Sequence, residues 1–261
     1  MYSILVCDDD KDIVAAIKIY LESEGYGVIT AYDGKEALEK LSAEDVHLVL
    51  MDIMMPVMDG ISGSCDSARI AAEALKESYP LRKIEIIDTL SASLGEGIVV
   101  LRAIELCSEG VQLEAAAGEL RVLSRRICQI FTVDDLMHLR RGGRLSNISA
   151  VVGTVLQIKP LLLGNEEGKI VAIAKVRGRK RSIEALAAKF DELAVAPETQ
   201  TACIAQAGCP DDAEYLASLL RKNHPPKDIL TVEYEPMTGA HVGPGALALF
   251  FIADDNVRSI K

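Results

Sequence analysis

Residues 51–77 read MDIMMPVMDGISGSCDSARIAAEALKE and join two motifs in one loop. The first part looks like a strand end that leaves Asp52 exposed, followed by a Met-Pro loop. The second part places Ser62, Gly63 and Ser64 directly ahead of a helical period. Small residues there let backbone N–H groups face a ligand, and a helix N-terminus favours negative charge. The same loop therefore carries a carboxylate able to accept phosphate and a turn able to hold an anion. In structural terms the segment is strand, loop and helix, and that unit extends in both directions.

Upstream, SILVC, YGVITA and VHLVLMD read as strands, and residues 11–25 and 33–45 as helices with apolar faces at Ile13, Ile17, Leu21 and at Ala37, Leu38, Leu41. Downstream, a helix over 64–78 leads to strand KIEIID, helices over 95–107 and 113–125, and strand ICQIFTV. Alternation of this kind predicts a parallel sheet with helices on both faces and strand C-termini along one working edge. After LRRGGRLSN the pattern changes to a hairpin around Asn-Glu-Glu-Gly, then alternating helices and strands. The expected class is α/β: a doubly wound, mostly parallel sheet of flavodoxin or Rossmann type over residues 1–145, then a smaller α+β domain over residues 146–261.

Composition narrows the function. The net charge of −11 repels phosphate backbones, which argues against nucleic acid as a partner. The longest apolar run, residues 246–253, is far short of the ~20 residues of a spanning helix, so no integral membrane insertion is expected. The acidic N-terminus, MYSILVCDDD, is unlike a signal peptide. The cysteines are scattered without a C-x-x-C pair, which argues against zinc and disulfides and for half-buried or buried thiols in a reducing cytoplasm.

ILVCDDD, DGKEAL and LVLMDIMMPVMDG, all within residues 1–60, resemble half of a response-regulator receiver domain. Asp8 and Asp9 end the first strand and Asp52 the third. Carboxylates gathered at one sheet edge suit a hard dication such as Mg²⁺, and the resemblance makes Asp52 the phospho-acceptor of a phosphorelay. Thr89 stands where such a domain carries a hydroxyl. The fifth strand lacks the matching lysine, and Lys159-Pro160 falls in the second domain.

From Ile61 onward the text is of another kind. ISGSCDSARIAAEALKESYP, IEIIDTLSASLGEGIVVLRAIEL, FTVDDLMHLRRGGRLS, QIKPLLLGNEEGKI, KVRGRK and GAHVGPGALALFF resemble, in order, the DegV family of fatty-acid-binding proteins. The resemblance implies a carrier rather than an enzyme. It would hold a long-chain fatty acid between two domains for presentation to a fatty acid kinase. Ser62, Gly63 and Ser64 would seat the carboxylate, with Arg144 supplying positive charge and His241 closing the headgroup site. Leu161, Leu162, Ile170 and the ALALFF segment are the expected apolar wall, and KVRGRKR a docking patch or a solvated turn. A natural fusion, an engineered chimera and a mis-assembled gene would each produce this order of motifs. A scaffold with neither activity is the remaining alternative.

Overall fold

The computed structural model describes residues 3–7, 11–23, 25–44, 46, 48–51, 63–141 and 158–259. The chain divides into two compact units, Met1–Ile86 and Ile87–Lys261. The expected boundary at 145/146 falls elsewhere than this division.

The first unit follows the expected alternation: β1 (Ser3–Cys7), α1 (Lys11–Ser23), β2 (Gly27–Ala31), α2 (Gly34–Ala43), β3 (Leu48–Met51) and α3 (Gly63–Ser78). Its three described strands form a parallel sheet in the order β2-β1-β3. Side chains alternate across β1. Leu5 and Cys7 face Ala37 and Leu41 of α2, whereas Ile4 and Val6 face Val14, Ile17 and Leu21 of α1. The Asp33-Gly34 pair opens α2. The Asp33 carboxylate accepts from the Glu36 N–H at 2.7 Å, and Glu36 reaches back to accept from the Tyr32 N–H at 2.9 Å. This reciprocal arrangement pairs donors that the first helical turn leaves unmatched.

The second unit holds α4 (Leu94–Ser108), α5 (Leu113–Arg126), β4 (Ile127–Thr132), α6 (Leu136–Arg141), β5 (Ile158–Gly164), β6 (Ile170–Arg177), α7 (Arg179–Leu193), β7 (Thr201–Gln206), α8 (Pro210–Asn223), β8 (Asp228–Glu233), α9 (Pro236–Val242) and β9 (Leu247–Ile252). Its sheet runs β6-β5-β4-β9-β7-β8. Every neighbouring pair is antiparallel except β7 with β8. This corrects the expected mostly parallel, doubly wound sheet. The expectation extended the β-α-β rhythm of the first unit past its end. KIEIID is the point of failure: residues 82–89 belong to neither sheet. Alternating apolar residues mark a surface that is half covered, and that does not require a strand partner. The expected hairpin is present, turning at Asn165, whose side chain accepts from the Glu167 and Lys169 N–H groups.

Both faces of the six-stranded sheet are buried. On one, Ile130, Leu161, Leu163, Ile204, Leu249 and Phe251 meet Ile183, Leu186 and Phe190 of α7 and Leu216 and Leu220 of α8. Phe190 sits edge-on to Phe251 with ring centroids 5.0 Å apart. On the other, Phe131, Leu162, Cys203, Ala205, Ala248 and Phe250 meet Leu94 and Ile98 of α4, Leu136 and Leu139 of α6, and Val242 of α9. The thiols follow this packing. Cys7, Cys65, Cys128 and Cys203 are buried and Cys209 half-buried, while Cys107, expected with them, is exposed on α4. No described helix is long and apolar enough to cross a membrane.

Phe190 is fully buried. Phe190→Ala is expected to lower stability by about 3–5 kcal/mol, through lost burial and the cavity left against Phe251. Urea unfolding followed by circular dichroism checks this.

Candidate functional site

In the first unit the expected anion turn opens α3, which begins at Gly63 and takes Ser64 into its first turn. The helix is anchored by the buried Cys65 and Ala72. Its first turn offers backbone N–H groups without intrahelical partners, as every helix start does. Ser62 lies outside the described residues, as do Asp8, Asp9, Asp52 and Arg144. The strands that precede the three acids are described. β1 and β3 pair in parallel, and their last residues, Cys7 and Met51, are partners. These two residues stand immediately before Asp8 and Asp52 in the chain.

In the second unit the expected wall residues divide. Leu162, Ile170, Ala248 and Phe250 share the apolar layer under α4, α6 and α9. Leu161 belongs to the opposite layer, under α7 and α8. Neighbouring residues of a strand point to opposite faces, so Leu161 and Leu162 cannot both line one wall. Cys203 behaves in its layer as a small hydrophobe, since burial pushes its thiol up to about 11. Burial likewise raises the Tyr234 phenol well above its usual range.

A polar rim borders these layers at one end of the sheet. There the ends of β4 and β7 meet the starts of β5 and β9, with Thr132 opposite Leu161 and Leu247, and Gln206 opposite Leu247. Asp134, just past β4, accepts from Lys159 Nζ at 2.7 Å and lies 3.7 Å from Arg179 Nη1. Arg179 Nε donates to Asp212 Oδ2 at 2.7 Å. Lys159, of the Lys159-Pro160 pair in the second unit, thus pairs with Asp134 and also donates to its backbone carbonyl at 3.1 Å. Arg179 Nη2 points at the Cys209 sulfur, 3.6 Å away. The Cys209 thiol is raised above its ordinary pKa, chiefly by burial.

His241 is half-buried in the last turn of α9. Residues 239–242 of the GAHVGPG motif form the end of this short helix, closed by Gly243 with its N–H on the Gly239 carbonyl. Gly243 and Gly245 have positive φ, at 82° and 76°. Neither has room for a side chain. A Cβ at Gly243 would stand 2.7 Å from the His138 ring, and one at Gly245 would stand 2.5 Å from an Asp134 carboxylate oxygen. Asp134 and His138 therefore close on the GAHVGPG motif at two points.

The turn into α4 is a further feature that spacing did not single out. Leu90 and Ser93 adopt positive φ, at 52° and 53°, without being glycine. Such backbone is uncommon for side chains of this size and persists where its surroundings hold it. Arg258, almost wholly buried, does so: it donates to the Leu90 carbonyl and to Ser91 Oγ, each at 2.7 Å. Gln129 accepts from the Ala92 N–H at 3.1 Å. A Cβ at Gly95 would meet Ser91 Cβ at 2.9 Å and Phe250 at 3.1 Å, so the turn seats directly on the apolar layer. The signal available in the sequence was the motif DTLSASLGEG itself, whose serines and glycines have no helical period. The Arg258 contact, across 168 residues of chain, had none.

The geometry has clear counterparts among known proteins. The model of the family described as "Uncharacterised protein, DegV family" matches residues 30–254. A DegV domain-containing protein of Clostridium perfringens is 36% identical over 219 residues, covering 84% of this chain and 74% of the relative. The crystal structure of a fatty acid binding DegV family protein from Streptococcus agalactiae is 32% identical, with a TM-score of 0.69, covering 84% of this chain and 74% of that one. A DegV family protein from Thermus thermophilus, described for its fatty acid binding, is 26% identical with a TM-score of 0.71, over 97% of this chain and 100% of that one. The match begins at residue 30 and not at Ile61, so it takes in β3 and half of the segment that was expected to be receiver-like. The chain belongs to the DegV family.

Proposed function

We propose that this protein is a carrier: it binds a long-chain fatty acid and presents the carboxylate to a separate fatty acid kinase, with no chemistry of its own. The observation that carries the reading is the family membership, together with relatives at 32% and 26% identity whose names specify fatty acid binding. Two local features support it. One is the start of α3, where Ser62, Gly63 and Ser64 are assigned to the headgroup; a carboxylate takes charge-assisted bonds from N–H and O–H donors at such a turn. The other is the apolar layer of Leu162, Ile170, Ala248 and Phe250, which is assigned to the acyl chain. Arg144 and His241 are assigned as further lipid-binding residues. The exposed Lys175, Arg177, Lys180 and Arg181 are the proposed docking patch for the kinase, since they concentrate positive charge on a chain of net charge −11.

A second reading rests on the β1–β3 register. Strands whose partnered last residues precede Asp8 and Asp52 suit a carboxylate site for Mg²⁺, made by Asp8, Asp9 and Asp52, with Asp52 as phospho-acceptor. It ranks second because the family match already includes Asp52.

Solvent extraction of the protein purified from a bacterial host is expected to release acyl chains, identified by mass spectrometry. Ser62→Ala and His241→Ala are each expected to weaken uptake of a fluorescent long-chain fatty acid by roughly tenfold or more, the effect of one lost bond to a charged group. An empty protein that takes up no probe would sink the carrier reading. The second reading is checked by incubation with acetyl phosphate and Mg²⁺. It requires a phosphoryl mass gain that Asp52→Asn abolishes, and an unchanged intact mass removes it.

A further inference from the structure

We infer that His138 is a positioning residue for His241, acting through the backbone of α9; the inference rests on the reading of His241 as a lipid-binding residue. His138 sits on α6 and His241 on α9, and these two short helices pack together. His138 Nε2 lies 2.5 Å from the Ala240 carbonyl oxygen, the residue before His241. A carbonyl only accepts, so Nε2 carries the proton and donates. The ring also lies against Gly243, where a Cβ would come within 2.7 Å of Cγ and 2.8 Å of Cδ2. His241 is therefore bracketed. The peptide on its N-terminal side is held by a hydrogen bond from His138. Two residues on its C-terminal side, the same imidazole fills the space that a side chain would need.

The contact is itself braced. Asp134, four residues before His138, closes on Gly245 and is paired with Lys159 at 2.7 Å. The side chains of Leu136 and Leu139 are packed into the apolar layer. α6 thus has a fixed position from which to hold α9. A seven-residue helix capped by glycine has little helical stability of its own, so its last turn depends on such contacts. A side chain that must meet a carboxylate needs its backbone held to a fraction of an ångström. His138 supplies that restraint without itself being assigned to the ligand.

The test is a double-mutant cycle with a fluorescent long-chain fatty acid as probe. His138→Ala is expected to weaken binding about three- to tenfold, the effect of one lost neutral hydrogen bond with some loss of order. His138→Gln, whose amide can donate to the same carbonyl, is expected to return affinity to within about twofold of the wild type. In a His241→Ala background, His138→Ala is expected to have no further effect, because residues that act as one unit are not additive. A purely structural role would weaken both backgrounds equally, and that result would overturn the proposal. So would wild-type binding by His138→Ala alongside weakened binding by His241→Ala; the assignment of His241 would then stand by itself. Unchanged binding by His241→Ala would remove that assignment and this inference with it. His138→Phe keeps a ring against Gly243 and drops only the donor, so it carries the same test if the alanine variant does not fold.

Discussion

The pairing of β4 with β9 is the constraint on which the second unit is built. The strands run antiparallel from Ile127 opposite Ile252 to Thr132 opposite Leu247. Both are buried on both faces, so their side chains alternate between two apolar layers. A slip of one residue would exchange Phe250 with Phe251 and move every partner to the wrong layer. One layer is closed by α7 and α8, long amphipathic helices. The other is closed by α4 with the short helices α6 and α9. The outer strands β6 and β8 are more exposed, and lysine and arginine on β6 discourage further strand pairing at that edge.

Where strands end, the backbone must turn and its polar groups need partners. At one end of the sheet this falls to Asp134, Lys159, Arg179 and Asp212. Such partly buried pairs contribute modestly to net stability, because desolvation offsets their attraction. Their structural effect is positional. Asp134, held by Lys159, leaves space at Gly245 for backbone alone, and His138 does the same at Gly243. The tight sequence HVGPG follows from that crowding. Beyond it, Arg258 donates to the Leu90 carbonyl and the Ser91 hydroxyl and so braces a turn in which Leu90 and Ser93 adopt positive φ.

Much of the local structure was legible in the residues. Helices such as those over 94–108 and 113–126 and the 158–177 hairpin carry strong periodicity or turn chemistry, and both appear within a residue or two of expectation. Isoleucines 84 and 86 misled because alternation reports half-burial, not hydrogen-bonded pairing. α9 was missed because glycines and prolines usually mark loops, yet seven residues suffice for a helix when neighbours hold it. Of the candidate site, the start of α3 was legible from its small residues. His138 and Arg258 were not, since their partners are remote in the chain.

Periodicity, turn residues and motif order thus established an α/β chain, most of its helices and strands, and its resemblance to the DegV family. They act over a few residues, and a few residues are all that they require. Strand direction in the larger sheet, the division of Leu161 from Leu162 between layers, and the closure of Asp134 and His138 on two glycines emerged only with the folded chain. Each depends on which distant segments exclude water from one another, and that free energy belongs to the assembled core, not to any single segment.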